Sequence, residues 1–174
     1  MTKTLSKAWI TAGKTALLAV GLFSASVSFG LDTPEGRVIL TVSGNISETN
    51  ADDTAVFDYA MLEALESHTT VTSTPWHDQQ MTFKGPLARV LLDTLGAEGD
   101  TVRAIALNDY EVSIPVEDLL EYDVILATHA NGNPMSVREH GPIFVIYPYD
   151  EHPELNRETI YARSAWQVNR LIID

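Results

Sequence analysis

Between residues 75 and 148, prolines punctuate a series of short apolar runs. Pro75 stops the β-branched run Thr69–Thr74, Pro148 stops Ile143–Tyr147, and Pro86 and Pro115 each open a helical stretch. Proline has no amide hydrogen to give to a sheet ladder and fits only the first turn of a helix, so it marks where elements begin or end. A chain broken this often cannot build long strands or a helical bundle. It must assemble many short strands around a few short helices.

The runs can be placed individually. Arg37–Ser43, Thr69–Thr74, Val102–Leu107, Glu111–Ile114, Asp123–His129, Ile143–Tyr147 and Gln167–Ile173 are apolar or β-branched and read as strands. Asn131-Gly132 marks a tight hairpin over Ala130–Asn133, with Pro134–Arg138 as the return strand. A first helix is expected from a cap at Asp53 or Thr54 to about Glu66, with Phe57, Ala60, Met61, Ala64 and Leu65 on its apolar stripe. The clearest helix has Pro86 at its first position, Leu87, Val90, Leu91 and Leu95 on one face, and Gly96 just past its end. Pro115 opens a helical turn, PVEDLL. The helices do not alternate regularly with the strands, so the expected fold is a single, sheet-rich mixed α+β domain.

The first thirty residues stand apart. Lys3, Lys7 and Lys14 precede the apolar run TALLAVGLFSASV, and small residues end at Gly30. This is the anatomy of a signal peptide over residues 1–30, with a domain over residues 31–174 exported to the periplasm. All 24 acidic residues but only eight of the 11 basic ones follow residue 30, so the domain carries a formal charge of −16. Such a surface repels nucleic acid and anionic lipid, which excludes both as partners. The chain has no cysteine. It therefore has no disulfide to lean on, and no thiolate to offer as nucleophile or soft metal ligand.

Other chemistries lack a pattern. The five histidines are not spaced to share a helix face, and no serine lies in a nucleophile elbow. Neither a metal site nor a catalytic residue is assigned. What remains is a set of aromatic and polar residues at strand ends: Trp76, Asn108-Asp109-Tyr110, Ser136, Arg138, Tyr149-Asp150, and Arg163-Ser164 with Trp166. Singly, each has an ordinary structural role, as core cover, turn former or ion-pair partner. Together they can bind a planar heterocycle, with rings stacking on its face, a carboxylate on an amino-pyrimidinone edge, and guanidinium and hydroxyl groups on its carbonyl or polyol tail.

Four segments carry a resemblance: FKGPLARVLLDTLGA (Phe83–Ala97), AIALNDYEVSIP (Ala104–Pro115), the stretch Val124–Asp150 with its NGNPMSVR and GPIFVIYPYD, and ARSAWQVNRL (Ala162–Leu171). In this order they resemble the small bacterial branch of the sulfite-oxidase-like molybdopterin-binding domain family. The resemblance implies a mixed α+β fold with a pterin pocket at one end of its sheets. In the molybdenum enzymes of the family, a cysteine from the strand before the Trp76 region binds the metal; TTVTSTPW stands there in this chain. The family's oxidoreductase chemistry is therefore not carried over, and no molybdenum is expected.

Within the family, the chain is similar to PruR-type periplasmic pterin-binding proteins. That similarity implies a reduced pterin, such as a tetrahydropterin, as ligand. It also implies a partner: the periplasmic domain of a membrane GGDEF/EAL protein that metabolises cyclic-di-GMP. By the same resemblance Trp76, Asp109, Tyr110, Ser136, Arg138, Asp150 and Arg163 are the pterin-binding candidates, and His77 and Asp78 are read as rim or solvent residues.

Overall fold

The computed structural model describes residues 30–174. The signal-peptide expectation rests on residues 1–29, outside the described residues. Three sheets are built from β1 (Leu40–Gly44), β2 (Ala55–Phe57), β3 (Ser67–Thr72), β4 (Met81–Pro86), β5 (Thr101–Ala106), β6 (Glu111–Pro115), β7 (Ile125–Ala127), β8 (His129–Ala130), β9 (Asn133–Pro134), β10 (Phe144–Ile146) and β11 (Val168–Ile173). The helices are α1 (Tyr59–Ala64), α2 (Ala88–Thr94), α3 (Val116–Glu121) and α4 (Glu158–Tyr161). The large sheet has the order β2-β1-β11-β5-β6, and the others are β3-β4-β8-β9 and β10-β7. Within the large sheet, β1 and β11 run parallel while every other neighbouring pair is antiparallel. This is the mixed, sheet-rich α+β single domain expected.

Alternating burial fixes which face each strand presents. In β1, Leu40 and Val42 are buried, and with Ala104, Ile114, Leu171 and Leu91 they join the main core beside the large sheet. A second core, around Phe83, Ile125, Phe144 and Ile146, lies where β4, β7 and β10 meet. Gly85 permits that meeting, because a Cβ there would stand 2.1 Å from the Leu126 carbonyl oxygen.

Several boundaries differ from the expectations. The first helix starts later: Ala55–Phe57 pairs with β1, and Asp58 is the cap, accepting from the Met61 amide at 2.9 Å. Asp58 also accepts from the amides of Glu35 and Gly36, at 3.0 and 2.7 Å, so one carboxylate serves both a helix start and a distant loop. Its pKa is lowered, first by the Met61 amide and then by that of Gly36. Phe57 accordingly leaves the helix stripe and is buried on β2, and Leu62 is the buried helical residue.

Pro86 closes β4 and Leu87 caps α2, while Gly96 past the end adopts the left-handed conformation, φ 53°. The Asn131-Gly132 turn forms as expected, with φ 49° and 81°. The return strand is short, Asn133–Pro134, and Val137–Glu139 is a 3₁₀ turn held by a capping box between Ser136 and Glu139. Asp123–His129 splits at Thr128, so that β7 pairs with β10 and β8 with β4.

Candidate functional site: an aromatic cavity between the strand ends

β3 ends at Thr72, and the chain turns through Thr74-Pro75-Trp76. The Thr74 hydroxyl accepts from the Trp76 amide at 3.4 Å and lies 2.7 Å from His77 Nδ1, which sets the turn. Trp76 is thereby aimed across the second core. Its ring meets Phe144, Tyr161 and Trp166 edge to face, with centroids 5.5, 6.2 and 5.6 Å apart.

The β5–β6 turn supplies the facing wall. Asp109 takes a left-handed φ of 61°, its amide donates to the Ala106 carbonyl, and the Asn108 side-chain oxygen accepts from the Tyr110 amide. That turn leaves the Tyr110 ring 53% exposed over the cavity mouth. The third wall is the end of α4 and the segment that leads from it to β11, with Tyr161, Ser164 and Trp166. Ser164 is buried and 2.6 Å from the Tyr149 hydroxyl. The enclosed volume is about 430 Å³, with four aromatic rings and the polar groups of Asn108 and Ser164 on its walls. Its size lies in the range of small-molecule sites.

A second chamber of about 420 Å³ adjoins it, lined by His77, Met81, Arg138, Glu139 and His140. His140 forms the partition: its ring stacks on Phe144 at 5.1 Å, meets Trp166 edge-on at 5.5 Å, and lies 5.3 Å from His77. Burial depresses the pKa of both imidazoles, and the neighbouring His77 lowers that of His140 further.

The sequence-derived site residues divide. Trp76 and Tyr110 share the aromatic cavity, and Arg138 lies in the adjoining chamber. Ser136 lies on a separate groove, and its hydroxyl donates to Glu139 at 2.8 Å. Three residues lie outside all of these linings. The Asp109 side chain is 83% exposed and paired with Arg170. Asp150 accepts from the Gln80 amide group, the Ser73 amide and the Ser73 hydroxyl, which lower its pKa in that order. Arg163 is bound to Asp118 at 2.5 Å, and the Tyr147 hydroxyl donates to the same carboxylate. His77 is half-buried in the second chamber, whereas Asp78 is exposed. Tyr161, absent from the sequence-derived set, and Trp166, placed only among its strand-end residues, both line the cavity.

A single mixed α+β domain here gathers flat rings and a few amide and hydroxyl groups around one cavity at its strand ends. The chain belongs to the oxidoreductase molybdopterin-binding domain family, whose model matches residues 49–149, more than half of it. The match spans Trp76 and Tyr110 and stops short of Tyr161 and Trp166, so half of the aromatic lining comes from beyond it. A search of curated proteins found no match to the chain.

The two parts of the family's cofactor fit differently. A pterin is flat and edged with hydrogen-bonding groups, and the cavity offers rings, Asn108 and Ser164 to such a molecule. A thiolate-bound molybdenum finds no donor, because the chain has no cysteine. Ser73 and Thr74, on the turn before Trp76, are engaged with Asp150 and His77. Among the described residues, no group of three or more His, Asp or Glu could hold a metal ion.

Proposed function

We propose that this protein is a receptor for a reduced pterin, such as a tetrahydropterin, and that it works without molybdenum. The observation that carries the proposal is the pairing of an aromatic cavity in a molybdopterin-binding domain with a chain that has no thiol. Stacking between indole and phenol rings recognises a π-face, and Asn108 can exchange hydrogen bonds with the heterocycle's edge. The proposed role is signalling in the periplasm: occupancy of the cavity changes affinity for the periplasmic domain of a membrane GGDEF/EAL protein of cyclic-di-GMP turnover. Any such relay requires that bound and empty forms differ in their affinity for the partner.

The alternative is that the chain is a molybdopterin-dependent oxidoreductase or another pterin-utilising enzyme, a reading with which family membership is equally consistent. Titration with tetrahydropterin under anaerobic conditions, followed by tryptophan fluorescence, separates the readings when combined with elemental analysis. Saturable quenching without stoichiometric molybdenum is expected. Stoichiometric molybdenum, or no saturable change, would remove the receptor.

A further inference from the structure

A groove of about 650 Å³ lies apart from the aromatic site, with which it shares no lining residue. Val38, Leu107 and Val137 line it, and they remain 42, 44 and 49% exposed. With Tyr110 and Trp166 over the aromatic cavity, they make up five of the seven large hydrophobic residues exposed in the described structure. Apolar exposure concentrated in this way marks a contact surface.

The groove also contains an unmet polar group. Asn169 lines it from the position where the β11 register shifts between Val168 and Arg170, an irregularity in the backbone ladder. Its Oδ1 is buried with no hydrogen-bond partner. Rotation of the amide presents either end to an incoming group. The exposed charges on the groove, Glu35 and Arg37, balance, because Asp58 is buried and already accepts from three amides, but the surrounding domain carries a formal charge of −16.

Gln167 joins this groove to the aromatic site. It follows Trp166, takes a left-handed φ of 56°, and donates its backbone amide to the His140 carbonyl. Its own carbonyl accepts from the Leu107 amide at 2.9 Å, and its side-chain amide donates to the Val137 carbonyl at 2.7 Å. One residue is thus tied to His140, beside the ligand chambers, and to two residues that line the groove, Leu107 and Val137.

We infer that this groove is the docking site for a protein segment presenting an apolar side chain flanked by lysine or arginine, and that Gln167 couples its shape to occupancy of the aromatic cavity. The apolar side chain fills the groove, a neighbouring donor or acceptor meets Asn169, and the basic flanks complement the acidic domain. The coupling rests on the receptor reading above; the docking surface does not.

The test is selection of a displayed random-peptide library on the immobilised full chain. Enriched peptides should carry an apolar residue between basic ones. They should lose about tenfold or more in affinity on Leu107→Asp and on Val137→Asp, as truncation of an anchor site does. Both side chains are exposed, and matching thermal melts certify the variants. Failure to enrich peptides, enrichment of acidic ones, or indifference to both aspartate variants overturns the docking site. Tetrahydropterin should shift peptide affinity several-fold, and Gln167→Gly should abolish that shift. Saturable pterin binding without any shift overturns the coupling alone. Absence of pterin binding overturns the receptor reading and the coupling, while the peptide results still decide the groove.

Discussion

The indoles of Trp76 and Trp166 meet edge to face, centroids 5.6 Å apart and planes at 67°, although they lie far apart in the sequence. Trp76 follows β3 and Trp166 precedes β11. Trp76 also packs on Phe144, which belongs to the second core. One side chain therefore closes the core and lines the cavity, so ligand contact and local packing are coupled at this residue.

Trp76→Ala should weaken tetrahydropterin binding by roughly fivefold to 150-fold, since stacking on an aromatic side chain contributes on the order of 1–3 kcal/mol. The same change removes three edge-to-face contacts, and a stability loss of roughly 1–3 kcal/mol is expected. Trp76→Phe retains a ring and should recover much of both. Fluorescence titration and urea unfolding measure the two effects separately.

Ser164→Ala should destabilise the fold by about 1–3 kcal/mol, because it leaves the Tyr149 hydroxyl buried without a partner. The two oxygens are 2.6 Å apart and both residues are buried; burial raises the Tyr149 pKa, and the Ser164 hydrogen bond opposes that rise. The double variant Tyr149→Phe/Ser164→Ala removes both polar groups. Its loss should be smaller than the sum of the single losses, as a double-mutant cycle in denaturant will show.

The His77–His140 pair predicts a pH dependence. Burial lowers both pKa values from 6.5, so on acidification the unfolded chain takes up these protons before the folded one does. Stability from this source is complete above about pH 6.5 and is lost as pH falls through the lower, folded-state values. Asp58 and Asp150 are lowered from 3.8, so their contribution is present above pH 3.8 and is lost only in more acidic solution. Thermal melts across pH 7 to 4 should show the first loss in the wild type. In His77→Gln/His140→Gln that segment should be flatter.

Local chemistry made some of this architecture legible. Asn131-Gly132 turns where it should because its two positive φ angles demand those residues, and the α+β class follows from short strands without regular alternation. The start of α1 was not legible. Asp53, Thr54 and Asp58 are all acceptable caps, and the choice of Asp58 depends on the amides of Glu35 and Gly36, 23 and 22 residues away. The same limit applies to the site. Trp76 and Tyr110 are positioned by turns within a few residues of themselves, so their place at strand ends could be read directly. Asp150 and Arg163 have ligand-like side chains, but folding brings Ser73 and Gln80 to the first and Asp118 to the second. Which polar groups are already engaged is decided by tertiary pairing, and a single chain does not display it.

Molybdenum content tests the argument from donors. Full-length protein produced in a host that makes the molybdenum cofactor should contain less than roughly 0.1 equivalent of molybdenum, because hydroxyl oxygens are poor substitutes for a thiolate on this centre. Ser73 and Thr74 hold other partners, Asp150 and His77, so recruiting either would also break the turn that aims Trp76. Tetrahydropterin affinity should accordingly be unchanged after exhaustive chelation. Elemental analysis and a repeat titration check the two statements independently. One equivalent of molybdenum that survives gel filtration, or pterin affinity that is lost with the metal, would place a metal centre in the cavity and return the protein to the enzymes of its family.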